Sequence, residues 1–168
     1  KDRPFFLILW FHTVHTPIEG KPALVRRFEK KPAGKIHSHT EYAAMLASLD
    51  ENIGRVLRQL DDLKLADRTV VILTRDHGGV DFPTAKSGNH PPTCNAPYRS
   101  GKGTLYEGGL RVPLIIRWPG RTRPGTECAA TVISQDFFPT LADALGLTDA
   151  PRHDGVSFLP LLKNPKAR

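Results

Sequence analysis

Cysteine is scarce in this 168-residue chain, with only Cys94 and Cys128 and no C-x-x-C pair. Two residues cannot make a disulfide framework, and a zinc site built on thiolates lacks its usual spacing. A single bridge between the two stays open. Long apolar runs are missing too. The longest, Phe5 to Phe11, has strand length and falls well short of the roughly 20 residues that span a bilayer as a helix, so no membrane span is expected. Lys1-Asp2-Arg3 leads straight into that run with no small-residue cleavage site after it, so no signal peptide is read in this segment. Methionine occurs once, at Met45, and the chain opens directly in a strand-like run; a segment of a longer protein is expected. The patterns G-x-x-x-x-G-K-[ST] and G-x-S-x-G are also absent, which removes Walker-type phosphate binding and a serine elbow.

What is present is an ordinary globular composition, 39% hydrophobic and 24% charged, punctuated by 14 Gly and 15 Pro. Net charge is +7. The densest basic stretch holds Lys21, Arg26, Arg27, Lys30, Lys31 and Lys35 against Glu29 and is broken by Pro22, Pro32 and Gly34. It reads as an exposed, solvated loop, without the aromatic interleaving of single-strand binders. No nucleic-acid partner is expected.

Pro4 to Phe11 reads as a strand buried on both faces. Tyr42, Met45, Leu46, Leu49, Ile53, Val56, Leu57 and Leu60 recur at spacings of three and four, predicting a helix to about Leu63 that Ser38 or Thr40 caps. Thr69 to Thr74 reads as a second buried strand, so strand, helix and strand make a β-α-β unit and a parallel sheet. Val112 to Trp118 predicts a third strand and Ala130 to Ile133 a short fourth. Gln135 to Leu145 reads as a helix ended by Gly146, with its regular turns starting near Pro139. Val156 to Leu162 reads as a short packed helix. The stretch from Val80 to Gly103 has no periodicity, and loops of that length in compact domains are usually functional or disordered.

Chemistry-bearing residues collect where strands end. Asp76-His77-Gly78-Gly79 follows the second strand, at the edge where open α/β sheets bind ligands. Asp and His both ligate metals. The alternative is a capping carboxylate beside a solvent-facing imidazole. His12 and His15 follow the first strand. In extended chain, residues three apart face opposite ways, so one of them is expected to reach the site, with His15 the better placed. Lys102 lies between Gly101 and Gly103, an ammonium on backbone able to come close to an oxyanion. A flexible solvated loop is the other reading. Cys94 has no base nearby in sequence.

Together these blocks resemble the sulfatase family, the arylsulfatase-like branch of the alkaline phosphatase superfamily. The resemblance runs through Phe5 to Pro17 (FFLILWFHTVHTP), Tyr42 to Leu60, Val70 to Gly79 (VVILTRDHGG), Asn95 to Pro119 (NAPYRSGKGTLYEGGLRVPLIIRWP) and Asp136 to Gly146 (DFFPTLADALG). It implies an α/β fold, an alkaline-phosphatase-like, mostly parallel sheet flanked by helices. Residues 1–168 would form a partial domain, the C-terminal portion of a sulfatase catalytic domain. It implies Asp76 as a calcium ligand and His77 at the next ligand position, where many members carry Asn. Lys102 resembles the lysine that contacts the substrate sulfate. His15 resembles the histidine that binds sulfate or protonates the leaving oxygen. His12 falls at a variable position. The implied activity is sulfuric ester hydrolysis on a sulfate ester substrate, with Ca2+ and a formylglycine nucleophile; family habit places such enzymes in the periplasm or outside the cell.

The formylglycine arises in a C/S-x-P-x-R motif, which these 168 residues do not contain; Ala96, not Pro, stands two after Cys94. Two alternatives remain. Asp-His donors suit zinc or manganese as well as calcium, which fits a metal-dependent phosphodiesterase or phosphatase of the same superfamily. A non-catalytic domain that binds sulfated glycans is the other. The isolated segment is expected to show no turnover of an aryl sulfate; measurable hydrolysis by the purified 168-residue polypeptide would refute this.

Overall fold

The computed structural model describes residues 3–84, 87 and 90–166. They divide into two compact units, Lys1–Ala66 with Thr74–Leu114, and Asp67–Leu73 with Ile115–Arg168.

The first unit is built on two helices, α1 (Pro22–Glu29) and α2 (Thr40–Asp62), which pack on each other. The basic stretch is thus helical over Pro22–Glu29 and an exposed loop only beyond it. Pro22 starts α1 where a missing N–H costs nothing, and Leu24, Val25 and Phe28 recur at helical spacing and are half-buried. Arg26 and Arg27 sit in the last turn, where cations complement the helix dipole. The long guanidinium and ammonium side chains of Arg27 and Lys31 lie over the Phe28 ring, at 5.8 and 5.2 Å.

The apolar stripe of α2 forms as its spacing predicts, but neither expected cap is used. His39 caps instead, its Nδ1 accepting from the Tyr42 N–H at 3.3 Å. The far end closes on Lys64, at φ 56°, with the Leu65 N–H donating to the Leu60 carbonyl. Tyr42 and Met45 on the first turns of α2 bury with Ile18, and Val14 packs alongside. The remaining stripe residues are half-buried or, like Leu46, exposed.

The sheet has two strands, β1 (Val71–Thr74) and β2 (Leu114–Arg117), hydrogen-bonded to each other. Both lie inside expected strands. Pro4 to Phe11 does not form the third: it pairs with no strand among the described residues, and its side chains are exposed, Trp10 by 89%. A strand satisfies its backbone only through a neighbour, so apolar character alone does not make one. For the same reason the β-α-β unit is not closed among the described residues, and β1 is half-exposed rather than buried, with Leu73 39% accessible. Ala130 to Ile133 is likewise irregular. Between β1 and the short helix α3 (Glu107–Leu110), no described residue is in helix or strand.

In the second unit, α4 (Phe137–Leu145) follows a single 3-10 turn, Ser134–Asp136. Pro139 falls among the first amides of the helix, which have no intrahelical acceptor. Gly146 ends it at φ +67°. The expected C-terminal helix is α5 (Leu159–Lys163). One buried hydroxyl ties these parts together. Thr140, 1% exposed, donates through Oγ1 to the Asp136 carbonyl at 2.6 Å and accepts from the Phe158 N–H at 2.9 Å. Phe158 is buried edge-on against Phe137, ring centres 5.7 Å apart. Cys94 and Cys128 are free thiols, so the open question of a bridge is answered in the negative.

Replacing Thr140 by Val keeps the shape and strands the Phe158 N–H without an acceptor. A buried donor left unpaired costs about 1–3 kcal/mol, so Thr140→Val should lower the urea midpoint, and Thr140→Ser, which keeps the hydroxyl, should lower it less.

Candidate anion and metal site

The candidate residues gather in the first unit, on the turn that leaves β1 and on the loop that precedes α3. Two glycines explain why those backbones approach so closely. A Cβ on Gly78 would overlap the Gly108 carbonyl, and a Cβ on Gly101 would overlap the Gly79 carbonyl. With only hydrogens there, the Gly78 N–H reaches the Gly109 carbonyl at 2.9 Å and the Lys102 N–H reaches the Gly79 carbonyl at 3.0 Å. Asp76-His77 and Lys102 are thereby attached to backbones that bond directly to each other.

Lys102 and His15, 87 residues apart in sequence, meet side chain to side chain, with Nζ 3.1 Å from Nε2. An ammonium only donates, so Nε2 accepts. His15 Nδ1 then carries the ring proton and donates it to the Thr16 carbonyl at 3.0 Å. One tautomer satisfies both contacts. The His12 ring lies 5.5 Å from the His15 ring, centre to centre. The premise of extended chain does not hold, because the segment is a turn closed by the His15 N–H on the His12 carbonyl; of the two rings, His15 is the one that meets Lys102.

Asp76 and His77 form a close pair. Asp76 Oδ1 accepts the His77 backbone N–H at 3.1 Å, and Oδ2 lies 3.2 Å from His77 Nε2. His77 Nδ1 lies 2.8 Å from the Gly78 carbonyl, which can only accept, so Nδ1 holds the proton. Nε2 faces a carboxylate oxygen, an arrangement that a proton on Nε2 or a metal cation satisfies. The 3.2 Å gap matches the edge between adjacent ligand atoms at metal bond lengths of about 2.0–2.6 Å. The Asp76 side chain is 84% exposed and free to take up a ligand. The donor chemistry thus fits a divalent metal, in part: no group of three or more His, Cys, Asp or Glu side chains able to hold one occurs among the described residues. Asp76 and His77 are two adjacent donors, fewer than a complete coordination shell needs.

A residue that the sequence did not single out connects these pieces. Asn95 accepts the Gly79 N–H on Oδ1 at 2.9 Å and donates from Nδ2 to the carbonyls of Gly79 and Ser100, each at 3.0 Å. The only sequence signal is generic: Asn in a long loop tends to bond backbone. Cys94, beside it, accepts the Ala96 N–H on Sγ at 3.4 Å. No helix among the described residues is long and apolar enough to cross a membrane.

The elements, and the position of these groups at the end of β1, describe part of an α/β domain with Asp76, His77 and Lys102 gathered at one edge. Residues 1–147 match the Sulfatase family model, and the chain belongs to that family. It is 38% identical over 155 residues to a sulfatase of Formosa agariphila, covering 86% of this chain and 26% of that one. It is 37% identical over 165 residues to the steryl-sulfatase of Rattus norvegicus, covering 96% and 27%. Among solved structures it resembles Ps i-CgsB in complex with k-i-k-neocarrahexaose, with TM-score 0.80 and 29% identity over 98% of this chain and 35% of that one. The fold is therefore the alkaline-phosphatase-like α/β fold, present as a partial domain. The chain spans about a quarter of the length of the curated relatives it matches.

Proposed function

We propose that the full-length protein hydrolyses sulfate monoesters and that these residues are the C-terminal portion of its catalytic domain. Lys102 and His15 would bind the sulfate; Asp76 and His77 would contribute ligands to a divalent metal, calcium by family resemblance. The observation that carries this reading is the 3.1 Å contact between Lys102 Nζ and His15 Nε2, which joins two of the blocks that resemble sulfatases into one pair.

The chemistry follows from charge. A sulfate monoester carries one negative charge, and more develops on the leaving oxygen as the S–O bond breaks. A fixed ammonium beside that oxygen stabilises the developing charge without reorganising at the moment of reaction. An ester oxygen entering between Lys102 and His15 takes the lysine proton contact that Nε2 now accepts. Nε2, once protonated, is then placed to pass a proton to the departing alcohol. A metal bound at Asp76 and His77 would supply Lewis-acid stabilisation of the sulfuryl oxygens. The attacking group, a formylglycine by resemblance, is not among these residues, because the sequence holds no C/S-x-P-x-R motif.

His77 favours one competing reading. An imidazole nitrogen beside a carboxylate suits zinc or manganese better than calcium, which prefers oxygen, and with such a metal the site would serve a phosphodiester. One relative is named a steryl-sulfatase, and a solved neighbour holds a k-i-k-neocarrahexaose.

The full-length protein should hydrolyse an aryl sulfate. Lys102→Ala should lower kcat/KM by about 10²–10³, as loss of one preorganised charge-stabilising donor does elsewhere. Chelation should abolish turnover and calcium restore it. Zinc-dependent cleavage of an aryl phosphate diester, with aryl sulfate untouched, would replace this reading by the competing one; glycan binding without any turnover would leave a non-catalytic domain.

A further inference from the structure

The amide of Asn95 uses its acceptor and its donors on three backbone groups that belong to the two halves of the site. Its Oδ1 and Nδ2 clasp both the N–H and the carbonyl of Gly79, three residues after Asp76. Nδ2 also holds the carbonyl of Ser100, two residues before Lys102. Ser100 sits at φ 59°, a region that a non-glycine residue occupies at a cost and keeps only when its surroundings hold it there. The Gly79 carbonyl that Asn95 holds is the same one that accepts the Lys102 N–H.

We infer that Asn95 is a positioning residue for Lys102: it holds Ser100 in its left-handed conformation and locks the Lys102 loop onto the turn that carries Asp76 and His77. This rests on the sulfatase reading for the role of Lys102 and adds to it a determinant outside the residues that touch sulfate or metal. Few side chains meet the geometry. Asp offers the acceptor for the Gly79 N–H but turns a carboxylate oxygen toward two carbonyls. Gln is longer by one methylene, and Ala leaves the Ser100 carbonyl and the Gly79 N–H without these partners.

The test is a double-mutant cycle in the full-length protein with an aryl sulfate. Asn95→Ala should lower kcat/KM by about 10- to 100-fold, the scale expected when a reacting group shifts by about 1 Å. In a Lys102→Ala background the same change should have almost no further effect, because its consequence runs through that ammonium. Equal losses in both backgrounds would mean general destabilisation and overturn the inference, as would a wild-type rate in Asn95→Ala. If Asn95→Ala does not fold, the isosteric Asn95→Asp carries the cycle with the same expected pattern. Hydrogen exchange separates this from the sulfatase reading. Faster exchange of the Lys102 and Gly79 amides in the Asn95 variant, with α2 amides unchanged, supports the lock even if no sulfate ester is cleaved. Unchanged exchange at both amides overturns it.

Discussion

Everything at the candidate site depends on two backbones lying in direct contact. The turn after β1 and the loop before α3 touch through glycine, with no side-chain layer between them. Gly78 faces Gly108, and Gly101 faces the Gly79 carbonyl, at separations where one methyl group would collide. Backbone hydrogen bonds then run straight across, from Gly78 to Gly109 and from Lys102 to Gly79. A side chain carried on either strip inherits its position from that contact, so the spacing between Asp76-His77 and Lys102 is anchored by peptide geometry.

That arrangement divides the chemical work. Lys102 and His15 satisfy each other with a single imidazole tautomer and leave a cationic group facing outward, suited to a tetrahedral oxyanion. Asp76 and His77 do the opposite. Their side chains bring a carboxylate oxygen and an imidazole nitrogen within 3.2 Å, two ligand atoms suited to a cation. One strip of the site thus asks for negative charge and the other for positive charge, which is what binding an anion on a metal needs. Asn95 lies between the two and bonds to both.

The exposed apolar run from Phe5 to Phe11 shows a different side of the same chain. Its composition is that of a buried strand, yet it pairs with no strand among the described residues and its side chains are exposed. The chain spans about a quarter of its curated relatives. The hydrophobic pattern is that of a strand, and no strand forms there among the described residues.

The sequence by itself determined the elements whose order is local. The stripe of α2, the end of α4 at Gly146 and the strand cores at Val71–Thr74 and Leu114–Arg117 were all legible. A helix bonds within its own segment and needs only a face to bury, although the short apolar face of α1 is masked in the sequence by Pro22 and by Arg26, Arg27 and Glu29. Family motifs likewise pointed to His15, Asp76, His77 and Lys102. Only the tertiary structure decided which of these meet: that Lys102 reaches His15, that His12 lies beside it, and that Asn95 ties Gly79 to Ser100. Those contacts join residues up to 87 positions apart. Periodicity carries no information at that range, because such contacts are set by how closely two backbones can approach.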